Sequence, residues 1–371
     1  MKKKIALLPG DGIGPEVIRQ AVKVLNATAD RFGHYFEYCY ADVGAIAIDH
    51  FGTPLPDVTL DACKNADAIL FGAIGHPKYD NDPNAKVRPE QGLLALRKSL
   101  GLYANIRPVT TYANLLHLSP LKEERIKGAD FIILRELTGG IYFGEKGRSE
   151  DGKTAFDTCT YHVHEIERIA HLAFDYAGKR RKKVTLVDKA NVMETSRLWR
   201  DTVSKMHKNY ADIELNFMFV DNAAMQLIQN PTQFDVMLTS NMFGDILSDE
   251  ASVIAGSMGL LPSASIGLLT SMFEPIHGSY PEGVGKNIAN PMAAILSAAM
   301  MLDSLALTEE AQAIRDAVQF ILEKGFGTPE LNPQFPYGCA EIGDLIALQV
   351  ADPKSFRFSE SKMREQTSTI I

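Results

Sequence analysis

The chain has 371 residues, of which 46% are hydrophobic and 23% are charged, and its formal net charge at pH 7 is −8. A chain of this length and composition can bury a substantial core and commonly divides into about two domains. The negative charge argues against a nucleic acid or an anionic membrane as the main partner, because both require a clustered basic surface. We therefore expect a globular protein that binds neither.

The sequence favours a cytoplasmic location. Its four cysteines are far apart and include no C-x-x-C pair, which is typical of a reducing compartment and indicates neither a zinc site nor a disulfide framework. The apolar segment near the start of the sequence is about five residues long, which is too short for an export signal. The longest apolar stretch, around Ala293–Leu302, falls well short of the roughly 20 residues that a membrane span requires.

Six short apolar runs are each followed by a polar or glycine-containing turn and then by a longer helical pattern. Runs as uniformly apolar as these have no solvent-exposed face, so they predict an α/β fold with a parallel or mixed sheet covered by helices. In such sheets ligands bind beyond the carboxyl ends of the strands, so the residues just after each run are candidates for a site. The runs are Ile5–Leu8, Ala68–Phe71, Phe131–Leu134, Val184–Val187, Phe217–Val220 and Val236–Leu238.

Charged residues follow several of these runs. Asp245 and Asp249 lie four residues apart in the helical pattern after the last run, so their Cβ atoms share one helix face at a separation of about 5–6 Å. Such a pair can hold a hard divalent cation, although the helix dipole alone also favours acidic residues in a first turn. With Arg135, Lys189 and Asp221 after other runs, the pair indicates either a site for an anionic substrate and a metal or a set of structural ion pairs.

The segment GLLALRKSLGLYANIRP, residues 92–108, places two arginines among apolar neighbours. Guanidinium groups match carboxylates in shape, so Arg97 and Arg107 would suit a dicarboxylic acid. Leu93 and Leu94 precede Arg97 by about one helical turn and would add an apolar surface for an alkyl branch. The alternative is that Arg97 belongs to the solvated face of a helix.

Four further segments have distinctive compositions. Residues 10–16, GDGIGPE, match the dinucleotide fingerprint G-x-G-x-x-G poorly, so they form either a structural turn or a cofactor contact of another kind. Residues 147–161 are polar and contain glycine and threonine, which predicts an exposed hairpin or arm. The glycines and prolines of residues 273–291 favour a backbone shaped for close approach by a ligand. The basic run 179–183 follows a helical pattern and predicts a solvated helix end.

These motifs occur together, and in the same order, in one known family. The chain resembles the isocitrate/isopropylmalate family of β-decarboxylating dehydrogenases in the motifs GDGIGPE, NIRP, RELTGGIYFGE, VDKANVM, FVDNAAM, SNMFGDILSDEAS, EPIHGS and IANPMAAILSAAMML. The resemblance implies an α/β, two-domain fold without a Rossmann unit, with mixed sheets flanked by helices. It also implies a first domain of residues 1–102 and 256–371, a second domain of residues 103–255, and an arm at residues 147–161 that joins an intimate homodimer.

The resemblance implies an NAD-dependent oxidative decarboxylation. The substrate would be the dicarboxylate (2R,3S)-3-isopropylmalate, the product 2-oxoisocaproate (4-methyl-2-oxopentanoate) of leucine biosynthesis, and the metal Mg²⁺ or Mn²⁺. D-malate and tartrate are alternative substrates, because one pocket methylene gives only about 1–3 kcal/mol of discrimination. A further alternative is a catalytically silent regulatory subunit. Such subunits lose a metal carboxylate, the lysine or the tyrosine of the site, and this chain retains all of them.

The resemblance also assigns roles to individual residues. The catalytic pair would be Lys189, which accepts the hydroxyl proton during oxidation, and Tyr142, which protonates the enol. Lys189 and Asp221 would reach the site from the partner subunit. The substrate would contact Arg97, Arg107, Arg135 and Asp221, with Leu93, Leu94 and Val192 forming the isopropyl pocket. The metal ligands would be Asp221, Asp245 and Asp249.

The cofactor assignment rests mainly on the loop that contains EPIHGS. Glu282 stands where NAD-dependent relatives have an aspartate, and an acidic side chain there accepts hydrogen bonds from ribose hydroxyls and repels a 2′-phosphate. Gly283 departs from the family pattern, because a branched apolar residue is often found at that position. The polar tail 356–371 is expected to be loosely held. The cofactor contacts implied by the resemblance are Ile13, Pro77, Glu90, His277, Gly278, Ser279, Glu282, Gly283 and Asn290.

Overall fold

The computed structural model of the chain describes residues 1–80 and 87–354. The tail 356–371, which we expected to be loosely held, lies outside the described residues. Within the described ranges, no helix combines the length and the apolar character that crossing a membrane requires.

Strands and helices alternate along most of the described chain. The strands are β1 (Lys2–Gly10), β2 (Tyr35–Tyr40), β3 (Ala68–Ala73), β4 (Leu102–Thr110), β5 (Asp130–Glu136), β6 (Lys146–Arg148), β7 (Ala155–Asp157), β8 (Lys183–Asp188), β9 (Glu214–Phe219), β10 (Val236–Thr239), β11 (Pro262–Gly267) and β12 (Met272–Pro275). The helices are α1 (Gly14–Phe32), α2 (Ala45–Phe51), α3 (Asp57–Lys64), α4 (Pro77–Asp80), α5 (Pro89–Leu100), α6 (Glu123–Ile126), α7 (Val163–Gly178), α8 (Glu194–His207), α9 (Val220–Gln229), α10 (Asn241–Ser252), α11 (Met292–Ser304), α12 (Thr308–Glu323) and α13 (Cys339–Ala351).

Contacts divide the chain into two compact units. Unit 1 consists of Met1–Leu96 and Met272–Ile371, and unit 2 consists of Arg97–Ser271. The domain boundaries predicted after residues 102 and 255 both fall inside unit 2, and they stay predictions. The expectation of an α/β fold with a mixed sheet and flanking helices is confirmed.

Unit 1 contains a parallel sheet in the order β2-β1-β3-β12. All six residues of β3 are buried, as expected for a strand covered on both faces. Helix α1 approaches this sheet closely because glycines face each other: a Cβ atom on Gly72 would lie 2.9 Å from Cα of Gly14. Helix α11 is buried along nearly its whole length, which agrees with its apolar sequence.

Unit 2 contains a mixed sheet. β4 pairs antiparallel with β11 and β5, whereas β5, β10, β8 and β9 are successive parallel neighbours. Phe131 and Phe234 meet in the core beneath these strands, with ring centroids 6.0 Å apart. Since the parallel strands share one direction, the residues after β5, β8 and β10 gather at one edge of the sheet.

The prediction of full burial was wrong for the run Phe217–Val220. Strand β9 ends at Phe219, and Val220 already belongs to α9. Phe217 and Phe219 are 40% and 36% exposed, because β9 lies at the edge of the sheet and is shielded by a neighbouring strand on one side only.

Two surface segments differ in how closely they follow expectation. Strands β6 and β7 pair antiparallel into an exposed hairpin that begins at Lys146, one residue before the predicted arm, and otherwise lies inside it. The basic run 179–183, in contrast, is only partly solvated. Arg180 donates from Nε to Oδ1 of Asp235 at 2.9 Å and from Nη2 to Oδ1 of Asp130 at 2.9 Å. Asp235 is 1% exposed, so this arginine ties the amino ends of β5 and β10 together.

Candidate active site

Two arginine–aspartate pairs line helix α10. The helix begins at Asn241, directly after β10, and its following turns carry Asp245 and Asp249 on one face. Arg107 of β4 donates from Nη1 to Oδ1 of Asp249 at 2.6 Å. Arg135 of β5 donates from Nη1 to Oδ1 of Asp245. Each carboxylate of the pair therefore has a guanidinium partner.

Arg135 lies near the positive charges of two other arginines. Burial lowers the pKa of Arg135, the charge of Asp245 opposes this shift, and the charges of Arg107 and Arg97 reinforce it. Arg135 is thus close enough to Arg97 and Arg107 to be repelled by their positive charges. A bound dicarboxylate would relieve that repulsion and form charge-assisted hydrogen bonds.

Tyr142 lies beside the same cluster. Its hydroxyl donates to Oδ2 of Asp245 at 2.9 Å, and its ring centroid is 5.9 Å from the guanidinium carbon of Arg135. Desolvation raises the pKa of the Tyr142 phenol, and the hydrogen bond to Asp245 raises it further. The hydroxyl is therefore protonated at neutral pH and able to donate a proton.

A buried carboxylate holds the turn that carries Tyr142. Glu136 is fully buried at the end of β5, and it accepts hydrogen bonds from the backbone N–H groups of Thr138 at 2.9 Å and Gly139 at 2.7 Å. Burial raises the pKa of Glu136, and these hydrogen bonds oppose the shift. The turn also packs on Tyr161, because a Cβ atom on Gly139 would lie 2.7 Å from Cε1 of that ring.

Lys189 and Asp221 form a second, separate group. Lys189 follows β8 and Asp221 is the second residue of α9, and the lysine Nζ lies 2.8 Å from Oδ1 of Asp221. The hydrogen bond from Lys189 lowers the pKa of Asp221. The backbone N–H of Lys189 donates to Oγ of Ser196 at 3.0 Å, which fixes the lysine against α8.

The predicted metal ligands are only partly brought together within one chain. Among the described residues, no three histidine, cysteine, aspartate or glutamate side chains gather into a possible metal centre. Asp245 and Asp249 share one face of α10, whereas Asp221 is paired with Lys189 on α9. Two carboxylates one helical turn apart offer the hard oxygen donors that Mg²⁺ and Mn²⁺ prefer, so the residues on α10 fit a divalent cation.

Unit 1 joins the glycine-rich turn after β1 to the loop after β12. The backbone N–H of Ile13 donates to the carbonyl oxygen of Ser279 at 2.8 Å. Gly12 has φ +60°, and a Cβ atom there would lie 1.9 Å from the Ser279 carbonyl oxygen, so only glycine permits this approach. The Asp11 carboxylate accepts hydrogen bonds from the backbone N–H groups of Ala45 at 2.9 Å and Gly75 at 3.0 Å.

The ring of Tyr280 fills the space beside Gly283. A Cβ atom on Gly283 would lie 2.5 Å from Cδ1 and Cε1 of Tyr280 and 3.3 Å from Cγ2 of Ile13. The ring is 48% exposed, so an aromatic surface remains open next to Ile13. The Nε2 atom of His277 in the same loop is buried without a partner among the described residues, and burial lowers the pKa of this histidine. An apolar platform and an unpaired acceptor or donor fit a nucleotide cofactor.

The other predicted cofactor residues have varied surroundings in unit 1. Asn290 is 5% exposed, and its side chain donates to Glu330 and accepts from the N–H of Met292, the first residue of α11. Ser279 is buried and contacts the turn after β1, as described above. Glu90 is half-buried in α5, whereas Pro77, Gly278 and Glu282 are exposed.

The predicted isopropyl pocket is drawn from two elements. Leu93 is half-buried on α5, four residues before Arg97, and Leu94 is 58% exposed on the same helix. Val192 is 67% exposed in the turn after β8. The exposed side chains of Leu94 and Val192 are available for contact with a ligand or another chain, and Leu93 is partly so.

Two buried asparagines were missed by the analysis of the sequence. Asn105 accepts a hydrogen bond from Nε of Arg107 at 2.8 Å, and Asn241 accepts hydrogen bonds from Nε and Nη2 of Arg135. The spacing N-x-R places Asn105 and Arg107 on the same face of a strand, which is the signal that could have found the first. The second depends on two segments far apart in the sequence and has no local signal.

Comparisons with known proteins show which family the chain resembles. The chain matches the family described as isocitrate/isopropylmalate dehydrogenase over residues 4–346. It is 56% identical to a 3-isopropylmalate dehydrogenase of Bacteroides fragilis over 348 residues, covering 93% of this chain and 98% of the relative. It is also 56% identical to a 3-isopropylmalate dehydrogenase of Priestia megaterium over 358 residues, covering 95% of this chain and 97% of the relative.

A solved structure extends the similarity to the fold. Isocitrate dehydrogenase from Methylococcus capsulatus has a TM-score of 0.83 to this chain at 36% sequence identity, covering 94% of this chain and 100% of that one. The family match and these relatives each span nearly the whole chain. The chain therefore belongs to the isocitrate/isopropylmalate dehydrogenase family and is an oxidoreductase.

Proposed function

We propose that the protein catalyses the NAD-dependent oxidative decarboxylation of 3-isopropylmalate to 2-oxoisocaproate in leucine biosynthesis. The observation that carries the proposal is the pairing of Arg107 and Arg135 with the two carboxylates of α10 beside the Tyr142 hydroxyl. Relatives that are 56% identical over more than nine-tenths of the chain are named for this substrate, which supports the choice of alkyl malate.

Arg97, Arg107 and Arg135 bind the two carboxylates of the substrate. Their shared positive charge holds the dianion, and the planar forks orient it by paired hydrogen bonds. Leu93, Leu94 and Val192 offer the apolar surface that the isopropyl branch needs. A third carboxylate, as in isocitrate, would lose hydration against these side chains without gaining a charged partner.

Two side chains move protons. Lys189 accepts the proton of the C2 hydroxyl while hydride leaves C2, and Asp221 holds the lysine in place. The C3–carboxylate bond then breaks, CO₂ leaves, and the electron pair stays on the substrate as an enolate. Tyr142 donates its hydroxyl proton to C3, and its raised pKa keeps that proton in place until this step.

Asp245 and Asp249 hold the divalent cation, with Asp221 as the third carboxylate ligand. When bound, Mg²⁺ or Mn²⁺ supplies positive charge beside the substrate oxygen and NAD supplies the hydride acceptor. Ile13, Pro77, Glu90, His277, Gly278, Ser279 and Asn290 contact the cofactor, Tyr280 with Gly283 offers it an apolar surface, and Glu282 favours NAD over NADP.

The protein is a cytoplasmic homodimer in which Lys189 and Asp221 serve the site of the partner copy. Two observations support this proposal. Asp221 does not join Asp245 and Asp249 within one chain, so the ligand set is complete only with another source of Asp221. Unit 2 also exposes apolar side chains on β9, α9 and α10, namely Phe217, Phe219, Met225, Ile228 and Ile246.

The test is NADH formation by the purified protein with 3-isopropylmalate and with D-malate, each with NAD or NADP and with Mg²⁺ or a chelator. We expect chelator-sensitive activity on 3-isopropylmalate with NAD. Arg135→Lys should raise KM for the substrate, whereas the matched variant Arg125→Lys on α6 should not. Activity mainly on D-malate would contradict the proposed substrate, and equal kcat/KM with both cofactors would contradict the NAD preference.

A further inference from the structure

Asn241 joins Arg135 to the turn that carries Tyr142. The residue is 1% exposed. Its Oδ1 accepts hydrogen bonds from Nε of Arg135 at 3.1 Å and from Nη2 at 2.9 Å. Its Nδ2 donates to the carbonyl oxygen of Gly139 at 3.2 Å, three residues before Tyr142. The oxygen of this buried amide therefore holds Arg135, and its nitrogen holds the turn that carries Tyr142.

Asn241 is itself held in place from the backbone side. Its N–H donates to the hydroxyl oxygen of Tyr161 at 2.8 Å. The Tyr161 ring packs on the same turn, since a Cβ atom on Gly140 would lie 2.5 Å from the Tyr161 hydroxyl oxygen. Trp199 supports that ring edge to face, with centroids 5.3 Å apart. The position of the amide is thus fixed relative to both the arginine and the turn.

An uncharged acceptor is what this position requires. Arg135 already pairs with Asp245, so a carboxylate at position 241 would place a second negative charge on the guanidinium and weaken its attraction for the substrate. The amide oxygen fixes the plane of the guanidinium and leaves its charge available. The amide nitrogen supplies the donor that the Gly139 carbonyl needs, which a carboxylate lacks.

Asn105 provides a natural comparison. It is 3% exposed, and its Oδ1 accepts from Nε of Arg107 at 2.8 Å. Its Nδ2 donates to the carbonyl oxygen of Ala264 at 3.2 Å and to Oγ of Ser263 at 3.1 Å. Asn105 therefore orients an arginine in the same way, but its amide nitrogen faces β11 and not the turn that carries Tyr142.

We propose that Asn241 is a positioning residue that sets both the guanidinium plane of Arg135 and, through the Gly139 carbonyl, the location of the Tyr142 hydroxyl. Binding of a substrate carboxylate and delivery of the final proton then depend on one buried side chain. This inference rests on the proposed function, because it takes Arg135 as a carboxylate ligand and Tyr142 as the proton donor.

The test compares Asn241→Asp with Asn105→Asp, each alone and combined with Tyr142→Phe, in steady-state assays of the full chain. Both aspartates partly neutralise an arginine, so each should raise KM for 3-isopropylmalate about tenfold, the equivalent of about 1.4 kcal/mol. Only Asn241→Asp should also lower kcat, because only this change displaces the turn that carries Tyr142. Its effect on kcat should therefore vanish in the Tyr142→Phe background, whereas any effect of Asn105→Asp should be the same in both backgrounds.

Melting temperatures show whether each variant is folded. If Asn241→Asp does not fold, Asn241→Ser keeps an oxygen acceptor but cannot reach both partners, and it should show the same dependence on Tyr142. The inference would be overturned if the kcat effects of the Asn241 and Tyr142 variants simply multiplied in the double variant. It would also be overturned if KM were unchanged in Asn241→Asp. Lack of turnover by the wild-type protein with any dicarboxylate would instead contradict the proposed function.

Discussion

Arg107 donates to Asp249 at a distance of 2.6 Å, so a residue proposed to bind the substrate is paired with one proposed to bind the metal. Arg135 and Asp245 form the same kind of pair one helical turn earlier. A cation that binds alone would leave both guanidinium groups without their carboxylates. A substrate that binds alone would do the same to the carboxylates, whereas binding of both satisfies all four side chains.

The first prediction is that metal and substrate bind with positive coupling. The affinity for Mg²⁺ or Mn²⁺, measured by calorimetry, should rise about tenfold or more when 3-isopropylmalate is present, within the usual range of coupling between sites. Asp245→Asn should weaken metal binding, because a neutral amide is a poorer ligand for a hard cation. Glu250→Gln, on the same helix, is the control and should retain it. Equal metal affinity with and without substrate would contradict the argument that all four side chains are satisfied only when both ligands are bound.

Lys189 is the subject of the second prediction. Lys189→Ala should lower kcat by about 10²-fold or more, because it removes a proton-transfer group. Lys189→Arg is the sharper variant: arginine can keep the ion pair with Asp221 but stays protonated, so it cannot accept the hydroxyl proton. We expect Lys189→Arg to be as inactive as Lys189→Ala, with normal folding. Near-normal turnover by either variant would show that another group is the base.

The sequence was sufficient to predict much of unit 2. The apolar runs that precede Arg135, Lys189 and Asp245 are buried strands of the sheet, as their local pattern predicted. The i, i+4 spacing also placed Asp245 and Asp249 on one helix face, as the structure shows. Local spacing is retained in three dimensions, so these features could be predicted.

Features that depend on tertiary context could not be predicted in this way. The exposed phenylalanines of β9 are as apolar as those of a buried strand, and only the position of β9 at the sheet edge distinguishes them. Arg180 lies in a run that is typical of a solvated helix end, but the fold places the buried Asp235 beside it. The bonds of Asn241 to Arg135 and Gly139 join residues about a hundred positions apart, which no local pattern encodes.

The third prediction concerns the pH dependence of the final proton transfer. Desolvation and the Asp245 carboxylate raise the pKa of Tyr142 above the ordinary phenol value of about 10. The protonated form, which is the donor, therefore persists throughout the neutral and mildly alkaline range. We expect no loss of kcat from ionisation of Tyr142 below about pH 10, and Tyr142→Phe should lower kcat without moving the alkaline limb of its pH profile. An alkaline limb that disappears in Tyr142→Phe would contradict the raised pKa.

The fourth prediction concerns the Tyr280 ring, which fills the space beside Gly283. The Tyr280 ring occupies the space in which a side chain at position 283 would stand, and its open surface lies next to Ile13. We expect the ring to take the place of the branched apolar residue that is often found at position 283 in the family. Tyr280→Ala should then weaken NADH binding about three- to tenfold, because aromatic packing contributes about 0.5–1.5 kcal/mol.

The measurement for this prediction is the dissociation constant of NADH, followed by its fluorescence, so that it does not depend on turnover. The double variant Tyr280→Ala with Gly283→Ile should recover most of the lost affinity, because isoleucine can then fill the vacated space. Gly283→Ile alone should bind NADH poorly, since the new side chain collides with the Tyr280 ring. Tyr40→Ala, an exposed tyrosine of β2, is the control. An unchanged dissociation constant in Tyr280→Ala would show that the ring does not contact the cofactor.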